Sequence, residues 1–239
     1  MLSNSAVERI LVVVAHPDDV DFGAAGTVAN WTDAGIEVSY CIVTDGDAGG
    51  FDPTVPRSEI GGIRRTEQRT AAKIVGVEDV HFLGYPDGAL ELSHALRRDI
   101  TRVIRQTRPR RMVVQSPERI WTRIYASHPD HMVAGESALR ALYPDSRNPF
   151  AHPELLAAEG LEPWTVDEVW VTPHHTPAHF VDMTEQFDRK IAALRAHESQ
   201  TAHMDDLESF VREWLARNAA TAGLPEGRLA EAFAVYETG

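Results

Sequence analysis

Five apolar residues, Ile10–Val14, are followed closely by the polar stretch His16–Asp19. A short apolar run of this kind is typical of a strand buried on both faces, as in a parallel sheet. Open α/β sheets bind their ligands outside the carboxyl ends of the strands. The junction therefore predicts a strand that carries histidine and aspartate side chains to a functional edge of a sheet.

The rest of the chain alternates strand patterns with helical patterns. Strands are expected at Ile10–Ala15, Glu37–Val43, Val80–Leu83, Arg111–Gln115 and Glu168–Thr172. Helices are expected at Ala24–Ala34, Ile63–Val75, Ser93–Thr107, Pro129–Leu142 and Thr184–His197. This alternation predicts an α/β fold, a Rossmann-like three-layer sandwich with a mostly parallel sheet and helices on both faces.

Length favours a single domain over residues 1–239, because α/β folds often reach this size as one unit. The tail, residues 201–239, is expected to be a C-terminal helical extension, since Asp205–Ala222 has a helical pattern. The segment Tyr143–Trp164 is rich in Pro, Asn and Ala and is expected to be an insertion or a loop near the functional edge.

Composition excludes several classes of protein. The net charge of −13 argues against binding to nucleic acid or to anionic membranes. No segment has the apolar length of a transmembrane helix, and we find no signal-peptide pattern at the N-terminus. Cys41 is the only cysteine and lies in a predicted strand, so we expect an inert thiol and a cytoplasmic location.

A second polar motif, Ser127–His131, combines two histidines with an aspartate. Pro129 suits the first turn of a helix, and Asp130 places negative charge in that turn, where it is favourable. His128 and His131 then lie three residues apart on one helical face. Imidazole and carboxylate ligands suit zinc, and three protein ligands leave a position open for water. The two motifs together predict a catalytic metal site.

Further motifs extend this pattern along the chain. They are Thr44-Asp45-Gly46, Arg64-x-x-Glu67, Leu83-Gly84-Tyr85-Pro86-Asp87-Gly88, Lys190 and Ala196-His197-Glu198-Ser199-Gln200. With the two histidine motifs, the chain resembles the zinc-dependent N-acetylglucosamine deacetylases of the PIG-L type, also called LmbE-like proteins. The matching motifs occur in family order. The first motif usually ends in glutamate, where this chain has Val20, a change that concerns a supporting contact rather than a metal ligand.

The resemblance implies that His16, Asp19 and His131 bind one Zn²⁺. Iron or cobalt can occupy the same kind of ligand set, so the metal used in the cell stays open. Asp18 is expected to be the general base, because it adjoins a ligand and zinc lowers the pKa of bound water toward about 7. The alternative for Asp18 is a carboxylate that orients His16.

Two more residues of the second motif have expected catalytic roles. His128, one helical turn from His131, is expected to stabilise the oxyanion and to help protonate the leaving amine. Asp130 is expected to hydrogen-bond His128 or another imidazole, which would fix the tautomer. The alternative for Asp130 is a favourable charge at the helix N-terminus.

Substrate contacts are expected from three residues. Arg64 and Asp87 match family positions that hydrogen-bond sugar hydroxyls, and a donor-rich guanidinium with an acceptor carboxylate suits neighbouring hydroxyl groups. The alternative for Arg64 is a surface salt bridge with Glu67 or Asp87. Some relatives carry a tyrosine near the oxyanion at the position of Ala126, so Tyr125 either substitutes for it or the enzyme does without it.

Three segments have weaker interpretations. The glycine-rich loop Gly46–Gly50 either closes over the site or is a plain turn. His174 and His175 follow the fifth predicted strand and either face the pocket or belong to an exposed loop. His197 is expected to anchor the last helix.

The resemblance implies a hydrolase that removes an N-acetyl group from an N-acetylglucosamine-type substrate. The alternative is an amidase of a thiol-conjugated amino-sugar pseudo-disaccharide of the mycothiol or bacillithiol type. A nucleotide-binding oxidoreductase would need the G-x-G-x-x-G turn, which the first strand lacks. A metal-binding module without catalysis would not need Asp18 or His128. The expected partner is a small amino sugar, and self-association is left open.

Overall fold

A computed structural model describes residues 1–239, which form a seven-stranded sheet with helices on both faces. The strands are β1 (Arg9–Val14), β2 (Glu37–Thr44), β3 (Asp79–Tyr85), β4 (Arg111–Val114), β5 (Glu168–Val171), β6 (His179–Asp182) and β7 (Ala230–Glu237). The helices are α1 (Asp19–Asp33), α2 (Arg57–Ile74), α3 (His94–Thr107), α4 (Pro129–Leu142), α5 (Pro153–Ala157), α6 (Phe187–Arg195), α7 (Glu198–Thr201) and α8 (Leu207–Thr221). The predicted α/β fold is confirmed.

The strand order in the sheet is β3-β2-β1-β4-β5-β7-β6. Strands β1 to β5 are parallel, and β7 runs antiparallel to both of its neighbours. The chain builds outward from β1 to β3 on one side and then returns to place β4 on the other side of β1. Ligand sites of open α/β sheets lie at such a reversal, because the loops after the two central strands separate there.

Burial of both faces explains the unbroken apolar run in β1. Ile10, Val12 and Val14 face one hydrophobic cluster, whereas Leu11 and Val13 face the other. Successive side chains of a strand point to opposite faces, so a strand covered on both sides needs apolar residues at every position. None of the helices combines the length and apolar character that a membrane span requires.

The predicted elements agree with the structure except at some boundaries. The five predicted strands are present, and α4 has the predicted bounds. Helix α1 begins at Asp19, earlier than the predicted Ala24, because the helix includes the acidic residues that follow Pro17. The segment predicted as one helix from Thr184 starts with a 3₁₀ turn before α6.

The C-terminal segment 201–239 is more than the helical extension that was predicted. Helix α8 is present, but the chain then forms β7, which lies between β5 and β6 in the sheet. Its residues alternate between deeply buried and less buried positions only in part, so the period-two pattern is weak. Pairing with β5 over Glu168–Val171 makes this segment part of the central sheet.

The segment Tyr143–Trp164 is mostly irregular, as expected, with a 3₁₀ turn and the short helix α5. It packs against α3 rather than over the carboxyl ends of β1 and β4. Buried Asp145 accepts three hydrogen bonds of 2.7–3.0 Å from Arg97, and Arg105 donates to the carbonyl oxygen of Asp145 at 3.0 Å.

The close packing of α4 on the sheet generates a stability prediction. A Cβ at Gly135 would lie 2.2 Å from the carbonyl oxygen of Gln115, a main-chain atom that cannot turn away. We expect Gly135→Ala to lower the free energy of unfolding by about 2–3 kcal/mol because α4 must shift. Exposed Gly62 in α2 has no atom within 4 Å of its Cβ position, so Gly62→Ala should stabilise by up to about 1 kcal/mol. Urea denaturation of both variants tests this, and equal stability of the two would contradict it.

Candidate active site and metal centre

Three side chains from two motifs meet at the carboxyl end of β1. His16 follows β1, Asp19 begins α1, and His131 lies in the first turn of α4. His16 Nδ1 lies 3.2 Å from His131 Nε2 and 3.3 Å from Asp19 Oδ2. Asp19 Oδ1 lies 3.0 Å from His131 Nε2. The two imidazoles and the carboxylate therefore form a compact triangle.

The dimensions of this triangle fit a metal ion. A tetrahedron with zinc–ligand bonds of about 2.0–2.1 Å has edges of about 3.3–3.4 Å. The separations among these three side chains are 3.0–3.3 Å, and Asp19 faces the two imidazoles with different oxygens. The same ligand set leaves the fourth corner to water or substrate. We propose that His16, Asp19 and His131 are the metal ligands.

The second nitrogen of His16 is held by carboxylates. His16 Nε2 lies 3.0 Å from Asp87 Oδ1 and 3.4 Å from Asp130 Oδ2. A hydrogen bond on one ring nitrogen fixes the tautomer and leaves the other nitrogen to bind metal. Burial opposes a charged imidazole, but Asp19, Asp130 and Asp87 raise the pKa of His16 to about 12. Three carboxylates around one imidazole therefore make the site electrostatically negative, which favours the binding of a metal cation.

The carboxylate of Asp130 lies beside His16, whereas His128 is contacted by the backbone N–H of Asp130. Asp130 is almost fully buried, and its Oδ2 also accepts a hydrogen bond from the backbone N–H of Gly88 at 2.7 Å. The sequence analysis expected Asp130 to hydrogen-bond either His128 or another imidazole. In the structure the carboxylate contacts that other imidazole, His16. It thus links α4 to the loop after β3 as well as orienting His16.

Asp87, expected to contact sugar hydroxyls, has both carboxylate oxygens occupied. Oδ1 faces His16, and Oδ2 accepts from the backbone N–H of Ala48 at 3.1 Å. The backbone N–H of Asp87 in turn donates to Asp47 Oδ1 at 3.0 Å. The structure therefore places Asp87 as a support for His16 and for the glycine-rich loop.

Asp18 adopts a left-handed backbone conformation, with φ of 90°. This region is strained for a residue with a side chain, and such strain concentrates at functional sites. The backbone N–H donates to Gln68 Oε1 at 2.8 Å, which helps to hold the conformation. Burial raises the pKa of Asp18 to about 6, although the guanidinium of Arg64 opposes the rise. Asp18 is thus an anion near neutral pH with more basicity than an ordinary carboxylate.

Arg64 does not form the surface salt bridge with Glu67 or Asp87 that was the alternative in the sequence analysis. It is buried, and its guanidinium lies 3.1 Å from Asp18 Oδ2. The same guanidinium donates to the carbonyl oxygens of Pro17 at 2.6 Å and Gly46 at 3.0 Å. The five donors of an arginine allow it to hold a carboxylate and two loops together. Arg64 is therefore a positioning residue for Asp18.

His128 occupies the N-cap of α4. Its Nδ1 accepts a hydrogen bond from the backbone N–H of Asp130 at 3.2 Å, so the neutral ring must carry its proton on Nε2. The ring lies 5.0 Å from the His16 ring and 5.3 Å from the His131 ring, measured between centroids. Burial and these two imidazoles lower the pKa of His128. His128 is therefore a neutral hydrogen-bond donor beside the ligand triangle.

A buried hydrogen-bond network, which was not predicted from the sequence, supports the backbone of Asp18. Asp21 Oδ2 accepts from Gln68 Nε2 at 2.9 Å and lies 2.8 Å from His197 Nε2. Through Gln68 this network reaches the backbone of Asp18. His197 therefore anchors α1 and α2 as well as the start of α7. The one sequence signal for it was the polar pair Asp21 and Gln68 within amphipathic helices.

The ligand triangle lies at the base of a polar cleft. Residues that line it are His16, Asp18, Asp19, Ala48, Gly49, Arg64, Asp87, Gly88, Tyr125, His128 and His131. The glycine-rich loop forms one wall of this cleft. Tyr125 is 79% exposed and has no side-chain hydrogen bond, so nothing holds it over the metal ligands. His174 and His175 lie outside the cleft, near Glu118.

Comparison with known proteins identifies the family. The PIG-L family, described as GlcNAc-PI de-N-acetylase, matches residues 11–142, which include both histidine motifs. The chain belongs to the PIG-L family. The resemblance inferred from the motifs is thus confirmed.

Named PIG-L relatives and a solved structure agree with this assignment. Diacetylchitobiose deacetylase of Thermococcus kodakarensis is 35% identical over 81% of this chain and 70% of its own length. A probable N-acetyl-alpha-D-glucosaminyl L-malate deacetylase 2 of Bacillus anthracis is 29% identical over 87% of this chain and 92% of its own length. N,N'-diacetylchitobiose deacetylase from Pyrococcus horikoshii superposes with a TM-score of 0.88 at 30% identity, over 97% of this chain and 85% of that one.

The contact between Asp130 and His16 generates a prediction about metal affinity. We expect Asp130→Asn to weaken zinc binding by about 10–100-fold, because the amide cannot supply the negative charge that orients and polarises His16. Competition with a chelator measures the affinity. Asp205→Asn, at an exposed position, is the matched control and should bind zinc as the unmodified protein does. Equal affinity of the two variants would remove Asp130 from this role.

Proposed function

We propose that this chain is a zinc-dependent hydrolase that removes the acetyl group from an N-acetylglucosamine-type amino sugar. The observation that carries the proposal is the half-buried carboxylate of Asp18, which Arg64 holds at 3.1 Å in the cleft that also contains His16, Asp19 and His131. When bound there, zinc would polarise the amide carbonyl and lower the pKa of a water molecule toward about 7.

Asp18 accepts the proton of the attacking water. Its pKa of about 6 leaves it ionised at neutral pH and close enough to the working pH for efficient proton transfer. Arg64 fixes the carboxylate at 3.1 Å and prevents the pKa from rising further. The proton that Asp18 gains is then available to the departing amine, which needs it to leave as a neutral molecule.

His128 donates from Nε2 to the carbonyl oxygen as that oxygen gains negative charge. Because Nδ1 is occupied by the backbone N–H of Asp130, the ring has one proton to offer and offers it in a fixed direction. A preorganised donor of this kind stabilises the transition state without reorganising during the reaction. In this proposal His128 stabilises the oxyanion, as expected from the sequence. Asp18, rather than His128, protonates the leaving amine.

The substrate class follows from the relatives and from the polar cleft. The named relatives act on diacetylchitobiose and on N-acetyl-glucosaminyl malate, both carriers of an N-acetylglucosamine unit. A cleft lined by charged side chains and glycine backbone offers donors and acceptors for sugar hydroxyls. The second candidate is hydrolysis of a conjugated N-acyl amino sugar of the bacillithiol or mycothiol type, which the match to the malate deacetylase favours.

Amine release from a panel of N-acetyl sugars tests the proposal. The panel contains N-acetylglucosamine, its disaccharide, and glycosides with malate or inositol as aglycone. We expect activity in zinc-restored protein and none in metal-stripped protein. One equivalent of bound zinc without amine release from any sugar would overturn the proposed function.

Two substitutions separate chemistry from metal binding. We expect Asp18→Asn to lower kcat by about 10²–10⁴-fold, since proton transfer is lost. We expect His128→Ala to lower kcat by about 10²–10³-fold through loss of one oxyanion donor. Both variants should retain one equivalent of zinc by metal analysis, because neither residue belongs to the ligand triangle. Activity near that of the unmodified protein in Asp18→Asn would show that another group is the base.

A further inference from the structure

A second space adjoins the ligand triangle on the side away from the glycine-rich loop. It is a cavity of about 400 Å³ between the sheet, α1, α8 and the loop before α4. Its apolar walls are formed by the ends of β1 and β4 and by aromatic side chains of α1 and α8: Val12, Val14, Val113, Val114, Phe22, Phe210 and Trp214. Its volume falls within the range of about 300–1,000 Å³ that small-molecule sites occupy.

This cavity and the polar cleft meet at the metal ligands. Asp19, Tyr125 and His131 line both spaces. A molecule held at the ligand triangle therefore has the charged cleft on one side and the apolar cavity on the other. The two sides of the molecule face environments of opposite polarity.

An N-acyl amino sugar likewise has one polar end and one apolar end. The nitrogen side of the scissile amide carries the sugar, whose hydroxyl groups need hydrogen-bond partners. The carbonyl side carries the acyl chain, which is apolar beyond the carbonyl. Apart from the three residues shared with the cleft, the polar side chains that line the cavity are Gln115, Thr172, Arg123 and Arg217. Gln115 Oε1 already accepts from the backbone N–H of Ala15 at 2.8 Å, and the Arg217 side chain is 66% exposed. The inner walls, formed by the ends of β1 and β4, are apolar. A hydroxyl-rich group would lose hydrogen bonds there, whereas a hydrocarbon chain would lose none.

We propose that the apolar cavity is an acyl-chain site, and that this enzyme hydrolyses N-acyl glucosamines with straight chains longer than acetyl. The proposal rests on the proposed function, since it uses the same metal site and the same general base. In the reaction the oxygen of water bonds to the carbonyl carbon and the C–N bond breaks. The products are the free amino sugar and a fatty carboxylate, and no further reactant is needed.

The size of the preference follows from the burial of methylene groups. Each methylene transferred from water to an apolar wall contributes about 0.8 kcal/mol, or about fourfold in kcat/KM if the gain is fully realised in the transition state. The gain ends when the chain fills the cavity. We therefore expect octanoyl to exceed acetyl by at least tenfold in kcat/KM.

The experiment compares N-acetyl-, N-butyryl-, N-hexanoyl- and N-octanoylglucosamine on the zinc-loaded enzyme, with free amine as the readout. A rise in kcat/KM with chain length is the expected result. Cleavage of the acetyl sugar with less than a tenth of that kcat/KM for the octanoyl sugar would overturn the acyl-chain site and leave the proposed function intact. No amine from any of the four would overturn the proposed function and this inference with it.

Gly23 gives a variant that fills the cavity from α1. Its Cβ position has a single neighbour, the Thr172 methyl at 3.6 Å, so a larger side chain has room to enter. We expect Gly23→Leu to lower the octanoyl-to-acetyl ratio of kcat/KM by at least tenfold. Gly62→Leu on the exposed face of α2 makes the same change away from the cavity and should leave the ratio unchanged.

Phe210 provides a second variant should Gly23→Leu fail to fold. It lines the cavity from α8 and is 49% exposed, so the fold does not depend on its burial. Phe210→Asp places a charge on the wall and should lower the same ratio several-fold. An unchanged ratio in both variants would show that the chain does not enter this cavity.

Discussion

The imidazole of His16 connects the segments that build the site. One nitrogen faces Asp19 and His131, from α1 and α4, and the other faces Asp87 and Asp130. These contacts join α1, α4 and the loop after β3 to the end of β1, so the ring fixes their relative positions. The carboxylates outnumber the cationic groups within reach, and this excess of negative charge is what a bound cation would neutralise.

Charge also explains why two adjacent aspartates have different properties. Asp18 and Asp19 are both half-buried, and desolvation disfavours the anion in each case. Two imidazoles lower the pKa of Asp19 well below its usual value, whereas Asp18 has the more modest help of Arg64 and the repulsion of Asp19. One carboxylate is thereby suited to hold a cation and its neighbour to exchange a proton.

The parallel strands and the main helices could be predicted because each carries its own period and end signals. The ligand triangle could be predicted too, since both motifs follow central strands and family order restricts their roles. The contacts of Arg64 with Asp18 and of Asp87 with His16 could not be predicted, because the partners lie on loops that are distant in the sequence. Strand β7 was not predicted for a related reason. Its alternation of apolar and polar residues is weak, and the strand is stabilised by pairing with β5, which is distant in the sequence.

That missed strand bears on the site through a buried ion pair. Glu231 in β7 lies 2.8 Å from Lys190 in α6, and neither side chain is exposed. Lys190 donates to the carbonyl oxygens of Asp21 and Phe22, and Glu231 accepts from the backbone N–H groups of Gly26 and Thr27. The pair thus hydrogen-bonds to the main chain of α1 between Asp21 and Thr27. Because breaking a buried ion pair leaves an uncompensated charge, the loss of either partner would destabilise the packing of α1, the helix that begins at Asp19.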